Sequence, residues 1–339
     1  NSLYWDFNYE LFIEFDMEAE DVCFGDTSKF IFIDTGSCYN ANSFSNLDTF
    51  YWDLGDSTIT NDTNPWHIYT DPGIYTVMLI ATDINGCTDT AMREIFIHGE
   101  PIAEIGYANV CKGDTMLFGD STSLPYGNIT FWAWDFGDGN TASGAPNPQH
   151  LYNQSGTYDV KLYVVDNAGC LDSVITPVEV YPNPIPSFTI DDACDGQDVH
   201  LENASLQALA SIISYEWDVE SNGSVDYIST NVDHEYSTFG TYAVKLKVSD
   251  SLGCRDSLVQ LAIVHPMPNA DFDAPPVCYN DVMTFNDSSE IATGNITNWA
   301  WDFGDGFTST SANPTHLYLS PGQHQVKLKV TSDGGCQDS

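Results

Sequence analysis

The sequence predicts an all-β protein, a tandem array of four sandwiches of about 80 residues each forming an extended rod. Three observations carry this. Tyr51-Trp52-Asp53-Leu54-Gly55-Asp56, Trp134-Asp135-Phe136-Gly137-Asp138-Gly139 and Trp301-Asp302-Phe303-Gly304-Asp305-Gly306 are one motif written three times, with a worn copy at Tyr215-Glu216-Trp217-Asp218-Val219-Glu220. Trp52, Trp134, Trp217 and Trp301 are 82, 83 and 84 residues apart, and a fixed period marks one unit repeated in tandem. Aromatics reach 13% and Thr, Val, Ile and Tyr are frequent, as strands favour, between turn-forming Gly, Pro, Asn, Asp and Ser. No long stretch places apolar residues at i, i+3, i+4, so almost no helix is expected.

The second unit shows the elements most clearly. Ile102-Ala103-Glu104-Ile105 alternates, Cys111-Lys112-Gly113-Asp114 is a turn, and Thr115-Met116-Leu117-Phe118 is a short strand. In Ile129 to Phe136 the period of two puts Trp132, Trp134 and Phe136 on one face and Asp135 on the other. Gly137-Asp138-Gly139 supplies the positive-φ positions of a tight hairpin. Tyr158, Val160, Leu162 and Val164 alternate inward along the next strand, Asn167-Ala168-Gly169-Cys170 turns, and Ser173 to Tyr181 is the last strand. Six or seven short strands with turns every 8–12 residues predict an immunoglobulin-like sandwich. Tyr75, Tyr158 and Tyr242 sit where such sandwiches carry a corner tyrosine, but the fourth unit has His324 there. The third unit departs through a longer turn, Glu220 to Asp226.

The expected boundaries are 1–10 (the end of a preceding unit or a linker), 11–98, 99–182, 183–266 and 267–339, the last unit stopping before its final strand. Joints at Gly99-Glu100-Pro101, Pro182-Asn183-Pro184-Ile185-Pro186 and Pro266-Met267-Pro268 are Pro-rich and therefore stiff. Units about 30–40 Å long would then span on the order of 140 Å. Residues 3–9 could close a neighbouring unit, within the chain or in another copy. The chain opens at Asn1 and has no stretch approaching ~20 apolar residues, so it reads as an interior, exported piece without a membrane span.

Eight of nine cysteines keep phase with the repeat. Cys23, Cys111, Cys194 and Cys278 stand near unit starts, and Cys87, Cys170, Cys254 and Cys336 stand in Gly-Cys-x-Asp strings near unit ends. Within-unit separations are 64, 59, 60 and 58 residues. Without tight Cys-x-x-Cys or Cys/His pairs, metal binding is disfavoured and one disulfide per unit is expected, in an oxidising extracellular setting. Such a loop of ~60 residues would contribute roughly 3–4 kcal/mol. Cys38 is left over in an insertion peculiar to the first unit.

Forty-nine acidic residues against nine basic ones give a formal charge of −40. That excludes nucleic acid, which requires a basic footprint, and direct attachment to anionic lipid. It attracts cations, Ca²⁺ foremost.

The linked elements Trp-Asp-Phe-Gly-Asp-Gly, Asn-Pro-x-His-x-Tyr, Gly-x-Tyr-x-Val and Gly-Cys-x-Asp resemble the PKD (polycystic kidney disease) domain, from about residue 11 onward. The cysteine-bearing form is similar to PKD arrays in large Bacteroidota surface proteins. These include adhesins exported by the type IX system, some serving gliding. Asp89-Thr90-Ala91, Asp172-Ser173-Val174 and Asp256-Ser257-Leu258 resemble a Bacteroidota O-glycosylation acceptor, with Thr90, Ser173 and Ser257 as acceptors. The alternative is that Asp-Ser simply opens the last strand. The resemblance also admits Ca²⁺, with Asp53/Asp56, Asp135/Asp138 and Asp302/Asp305 as ligands. Against it, turn carboxylates commonly accept backbone N–H bonds.

Catalytic candidates fail. His67, His150, His234 and His316 recur at one structural place, which suits a hydrogen-bonding turn residue better than a base. No nucleophile elbow, phosphate loop or dinucleotide fingerprint appears. The expected function is a non-catalytic surface stalk or filament that binds an extracellular protein or glycan, or associates with itself, with no cofactor required. The alternative is spacer or substrate-binding modules of a larger secreted hydrolase.

Overall fold

The computed structural model describes residues 15–34, 47–84, 86 and 88–339, and among these every regular element is a strand. In the second repeat one sheet has the order Val110–Cys111, Leu171–Tyr181, Gly156–Asp166, Ile129–Asp135, Thr141–Ser143. The facing sheet has the order Gln149–Leu151, Thr115–Asp120, Ile105–Tyr107. That is eight strands, more than the six or seven expected, because two edge strands are only two and three residues long. The first and third repeats share this five-plus-three arrangement. In the fourth, Thr308–Ser309, Ile296–Asp302, Lys327–Ser332 and Gln337–Asp338 form one sheet, faced by two short strand pairs.

Alternation builds the core as the sequence implies. Trp134 and Phe136 are both 2% exposed, while Asp135 between them faces out. Val160, Leu162 and Val164 are fully buried on the neighbouring strand. Trp52, Trp217 and Trp301 take the same place in their own repeats. Each such indole removes about 200 Å² from water, about 5 kcal/mol of gross transfer free energy. The four hydrophobic clusters are separate, each confined to one repeat. In every repeat the pairing of the Trp strand slips by one residue near its start, as between Ile129 and Phe131, a bulge that twists the strand before the Trp.

Two short strands depart from antiparallel pairing. Ala193–Cys194 lies parallel to the end of its repeat's last strand, with Cys194 level with His265, and Cys23 lies level with His98 in the first repeat. The second cysteine of the third repeat, Cys254, precedes the opposite end of the 11-residue strand Arg255–His265. At ~3.3 Å per residue the two are roughly 35 Å apart, whereas a disulfide holds its Cα atoms within ~7 Å. Pairing inside a repeat is therefore impossible, and the expectation of one disulfide per unit is corrected.

Candidate functional site: the motif hairpin and the cystine joints

The repeated motif folds into one network. Phe136 N–H bonds Asn140 carbonyl at 3.0 Å to close the hairpin, and Asp135 Oδ1 and Asp138 Oδ1 accept the backbone N–H of Gly137 and Asn140, each at 3.0 Å. Asp138 Oδ2 stands 2.8 Å from His150 Nε2, and the His150 ring stacks on Phe136 with centroids 4.2 Å apart. Tyr152 then donates to Phe136 carbonyl at 2.9 Å from a fully buried position. Burial raises the Asp138 carboxyl, but the His150 contact and the Asn140 bonds outweigh it and leave the group below its ordinary value. Asp56 with His67 (2.6 Å) and Asp305 with His316 (2.7 Å) repeat the pair, and both carboxyls are likewise lowered against the effect of burial. Tyr69, Tyr236 and Tyr318 repeat the bond of Tyr152 to the carbonyls of Leu54, Val219 and Phe303.

The third repeat reaches the same end differently. Its longer turn is held by Asp226 Oδ2, which accepts Val219 and Glu220 N–H, and by Asp218, which accepts Asn222 and Gly223 N–H. With Asp226 so engaged, His234 Nδ1 contacts Tyr227 hydroxyl at 3.0 Å.

The corner tyrosines are present. Tyr75, Tyr158 and Tyr242 donate to the carbonyl four residues back at 2.8, 2.9 and 2.6 Å. His324 occupies the fourth corner: its ring stacks on Tyr318 at 4.0 Å and Nε2 lies 3.4 Å from Ser320 carbonyl.

The calcium candidates Asp53, Asp56, Asp135, Asp138, Asp302 and Asp305 are all engaged in the hairpin network. Asp53, Asp135 and Asp302 cap the following glycine N–H, and Asp56, Asp138 and Asp305 hold a turn N–H and a histidine. Among the described residues no group of three or more His, Cys, Asp or Glu side chains is placed to hold a metal. The three hydroxyl candidates, Thr90, Ser173 and Ser257, are exposed on the last strands. Their preceding carboxylates have backbone roles: Asp172 accepts Ala103 N–H at 2.8 Å, and Asp89 and Asp256 accept the N–H of Thr90 and Ser257.

Cystines join neighbouring repeats. Cys23 of the first is bonded to Cys170 of the second, and Cys194 of the third to Cys336 of the fourth, with Cα atoms 5.5 and 5.8 Å apart. Cys111 and Cys254 are also disulfide-bonded, whereas Cys278, expected in a disulfide, is a free and exposed thiol. Cys38 and Cys87 lie outside the described residues.

Both halves of the joint are shaped by the turns that the sequence places at Cys111 to Asp114 and Asn167 to Cys170 and their counterparts. On the first half, Cys23 carbonyl accepts Asp26 N–H and Cys194 carbonyl accepts Gln197 N–H, with Gly25 and Gly196 at positive φ. On the second half, buried Asp166 accepts Ala168 and Cys170 N–H on one oxygen, both at 2.8 Å, and Ser332 Oγ accepts Cys336 N–H at 3.1 Å in its place. Around the first joint Phe96 meets Tyr126 edge-on at 5.7 Å and Gly99 abuts Pro125. At the other, Gly334 lies against the His265 ring, where a Cβ would come within 2.5 Å.

A family model described as PKD domain matches residues 38–97, 98–180, 181–265 and 263–339. The chain is similar to pre-pro-metalloprotease PrtV of Vibrio cholerae, 29% identical over 145 residues, covering 42% of this chain and 15% of that protein. It is also similar to collagenase ColA of Bacillus cereus, 33% identical over 86 residues, covering 25% of this chain and 9% of the collagenase. Thus the chain spans less than a sixth of these relatives' length. Among solved structures, the PKD1 domain of Vibrio anguillarum Epp is 25% identical and covers 25% of this chain and 98% of its own, with a TM-score of 0.23.

Proposed function

Because the chain belongs to the PKD-domain family, with four members in tandem, we propose that it is a non-catalytic stalk segment of a bacterial surface adhesin. PKD domains are immunoglobulin-like modules without catalytic function, and the cystines fit an oxidising extracellular compartment. The observation that carries the reading is the placement of those cystines. A disulfide inside a sandwich strengthens that sandwich, but one across a joint restrains the angle between neighbours. Restrained joints suit a segment that holds a binding end at a distance. The adhesive partner in this reading is an extracellular protein or glycan, and the exposed Thr90, Ser173 and Ser257 hydroxyls are open to O-glycosylation.

Small-angle scattering tests the stalk on the 339-residue chain. A maximum dimension on the order of 140 Å supports it, and a compact particle overturns it. A second reading, accessory modules of a secreted hydrolase, is favoured by the similarity to PrtV and the collagenase. Co-sedimentation with fibrillar collagen separates the two: retention by the fibres favours the accessory role, and none favours the stalk.

A further inference from the structure

We propose that the last strand of the third repeat, Arg255–His265, is an open sheet edge that pairs antiparallel with the same strand of a second copy of this chain. An edge strand presents a row of unpaired N–H and C=O groups, which proteins blunt with charge, proline or a cover. The first two repeats blunt theirs. In the first, exposed Glu94 stands on the outer face and Asp21 Oδ1 accepts Phe96 N–H at 2.9 Å. In the second, Pro177 has no N–H to offer. Tyr107 hydroxyl donates to Pro177 carbonyl at 3.2 Å, and Asn109 Oδ1 accepts Glu179 N–H at 2.9 Å.

The third repeat lacks all of these devices. Between Asp256 and His265 its strand carries neither a charge nor a proline. In the matching 11-residue strands, Leu261 stands where the others have Glu94 and Pro177, and Ile263 where they have Phe96 and Glu179. Asp192, the counterpart of Asp21 and Asn109, lies instead 3.5 Å from His265 Nε2, and among the described residues no side chain takes the Ile263 N–H. The parallel strand Ala193–Cys194 covers only Val264 and His265. Val259, Leu261 and Ile263 are exposed on one face, so an apolar stripe runs along the open edge.

The strand is also self-complementary. A two-fold axis at Val259 sets Val259 against its own copy, Leu261 against Ser257, and Ile263 against Arg255. The capped groups of Phe96, Pro177 and Glu179 show which alternate residues turn their N–H and C=O to the free side. In the third repeat these are Ser257, Val259, Leu261 and Ile263, which makes Val259 and its copy a hydrogen-bonded pair. The pairing joins two five-stranded sheets into one. In this register exposed Arg255 of each copy comes level with exposed Asp192 of the other. The first and second repeats have Thr88 and Leu171 at the Arg255 position. The formal charge of −40 opposes association, but repulsion beyond about 8 Å is largely screened at physiological ionic strength. A two-fold contact of this kind closes on itself as a dimer.

Sedimentation velocity on the full chain, with free thiols alkylated by iodoacetamide, tests the contact. A concentration-dependent equilibrium between monomer and dimer is expected. Leu261→Pro, which copies the second repeat, and Leu261→Lys should each abolish the dimer and leave the circular dichroism spectrum unchanged. Arg255→Asp should weaken it, and adding Asp192→Arg should restore it. The register is read with Val259→Cys in a chain carrying Cys38→Ser and Cys278→Ser. The paired Cα atoms, about 5.5 Å apart, lie within disulfide reach, so oxidation should link position 259 to itself in peptide mapping. A chain that stays monomeric, or a dimer that survives both Leu261 substitutions, would overturn the proposal. So would a cross-link from position 259 to residues outside 255–263, which would place another segment on the edge. The contact involves the third repeat alone, so its failure leaves the stalk reading standing.

Discussion

At the residue scale, the histidine–aspartate–tyrosine network sets the response to pH. The Asp56, Asp138 and Asp305 carboxyls lie below their ordinary value of 3.8 in the folded chain. A depressed carboxyl contributes stability above its unfolded pKa and loses it as pH falls through the folded one. Melting temperature should therefore decline below about pH 4. The triple variant Asp56→Asn, Asp138→Asn, Asp305→Asn should start less stable at neutral pH and show a flatter decline, as read by calorimetry from pH 7 to pH 2. The tyrosines act with the opposite sign. Burial pushes Tyr236 up to about 12, and raises Tyr69, Tyr152 and Tyr318 as well, with Asp56, Asp138 and Asp305 adding negative charge beside the last three. A raised phenol contributes stability below about pH 10 that is lost as pH climbs through its folded value. Ultraviolet titration should show these four ionising only as the fold opens, and Tyr236→Phe should cost about 1–2 kcal/mol through the lost bond to Val219 carbonyl.

At the element scale, the hairpin separates two glycines that look equivalent in the sequence. Gly137 has φ 78°, and a Cβ there would sit 2.7 Å from Asp159 carbonyl oxygen. Gly139 has φ 90° but nothing within 4 Å. Gly137→Ala should therefore cost several kcal/mol and Gly139→Ala about 1 kcal/mol, the strain of positive φ alone; chemical denaturation of the two variants checks the order. The first repeat agrees, since Gly55 also faces a carbonyl at 2.7 Å while Ser57 takes the outer position at φ 75°. How legible an element was depended on whether its cause is local. Alternation fixed the inward faces of Ile129–Asp135 and Gly156–Asp166, and Asp-Gly fixed the hairpin. Cystine connectivity depends on where the two-residue strand Ala193–Cys194 lies, parallel to a strand end some 70 residues later, and period counting cannot see that. The same holds for Asp166 and Ser332, whose role as turn caps appears only once Cys170 and Cys336 are seen presented to another repeat.

At the scale of the whole molecule, separate cores and shared cystines divide the work of holding the array together. Each hydrophobic cluster closes within one repeat, so no sandwich depends on its neighbour for burial. The stabilisation of roughly 3–4 kcal/mol expected from a disulfide inside each repeat is therefore not what these bonds supply. Cys23–Cys170 spans 147 residues and Cys194–Cys336 spans 142, each crossing a joint already packed by Phe96 on Tyr126 or His265 on Gly334. Breaking the bond removes the tether and leaves both cores intact. The double variant Cys23→Ser, Cys170→Ser should keep the circular dichroism spectrum of the parent and its indole fluorescence, because Trp52 and Trp134 remain buried. Hydrogen exchange should quicken at residues 99–102 and in the Asn167-Ala168-Gly169 turn while the Gly156–Asp166 strand stays protected. Loss of protection throughout the Gly156–Asp166 strand would show instead that the cystine supports the sandwich itself.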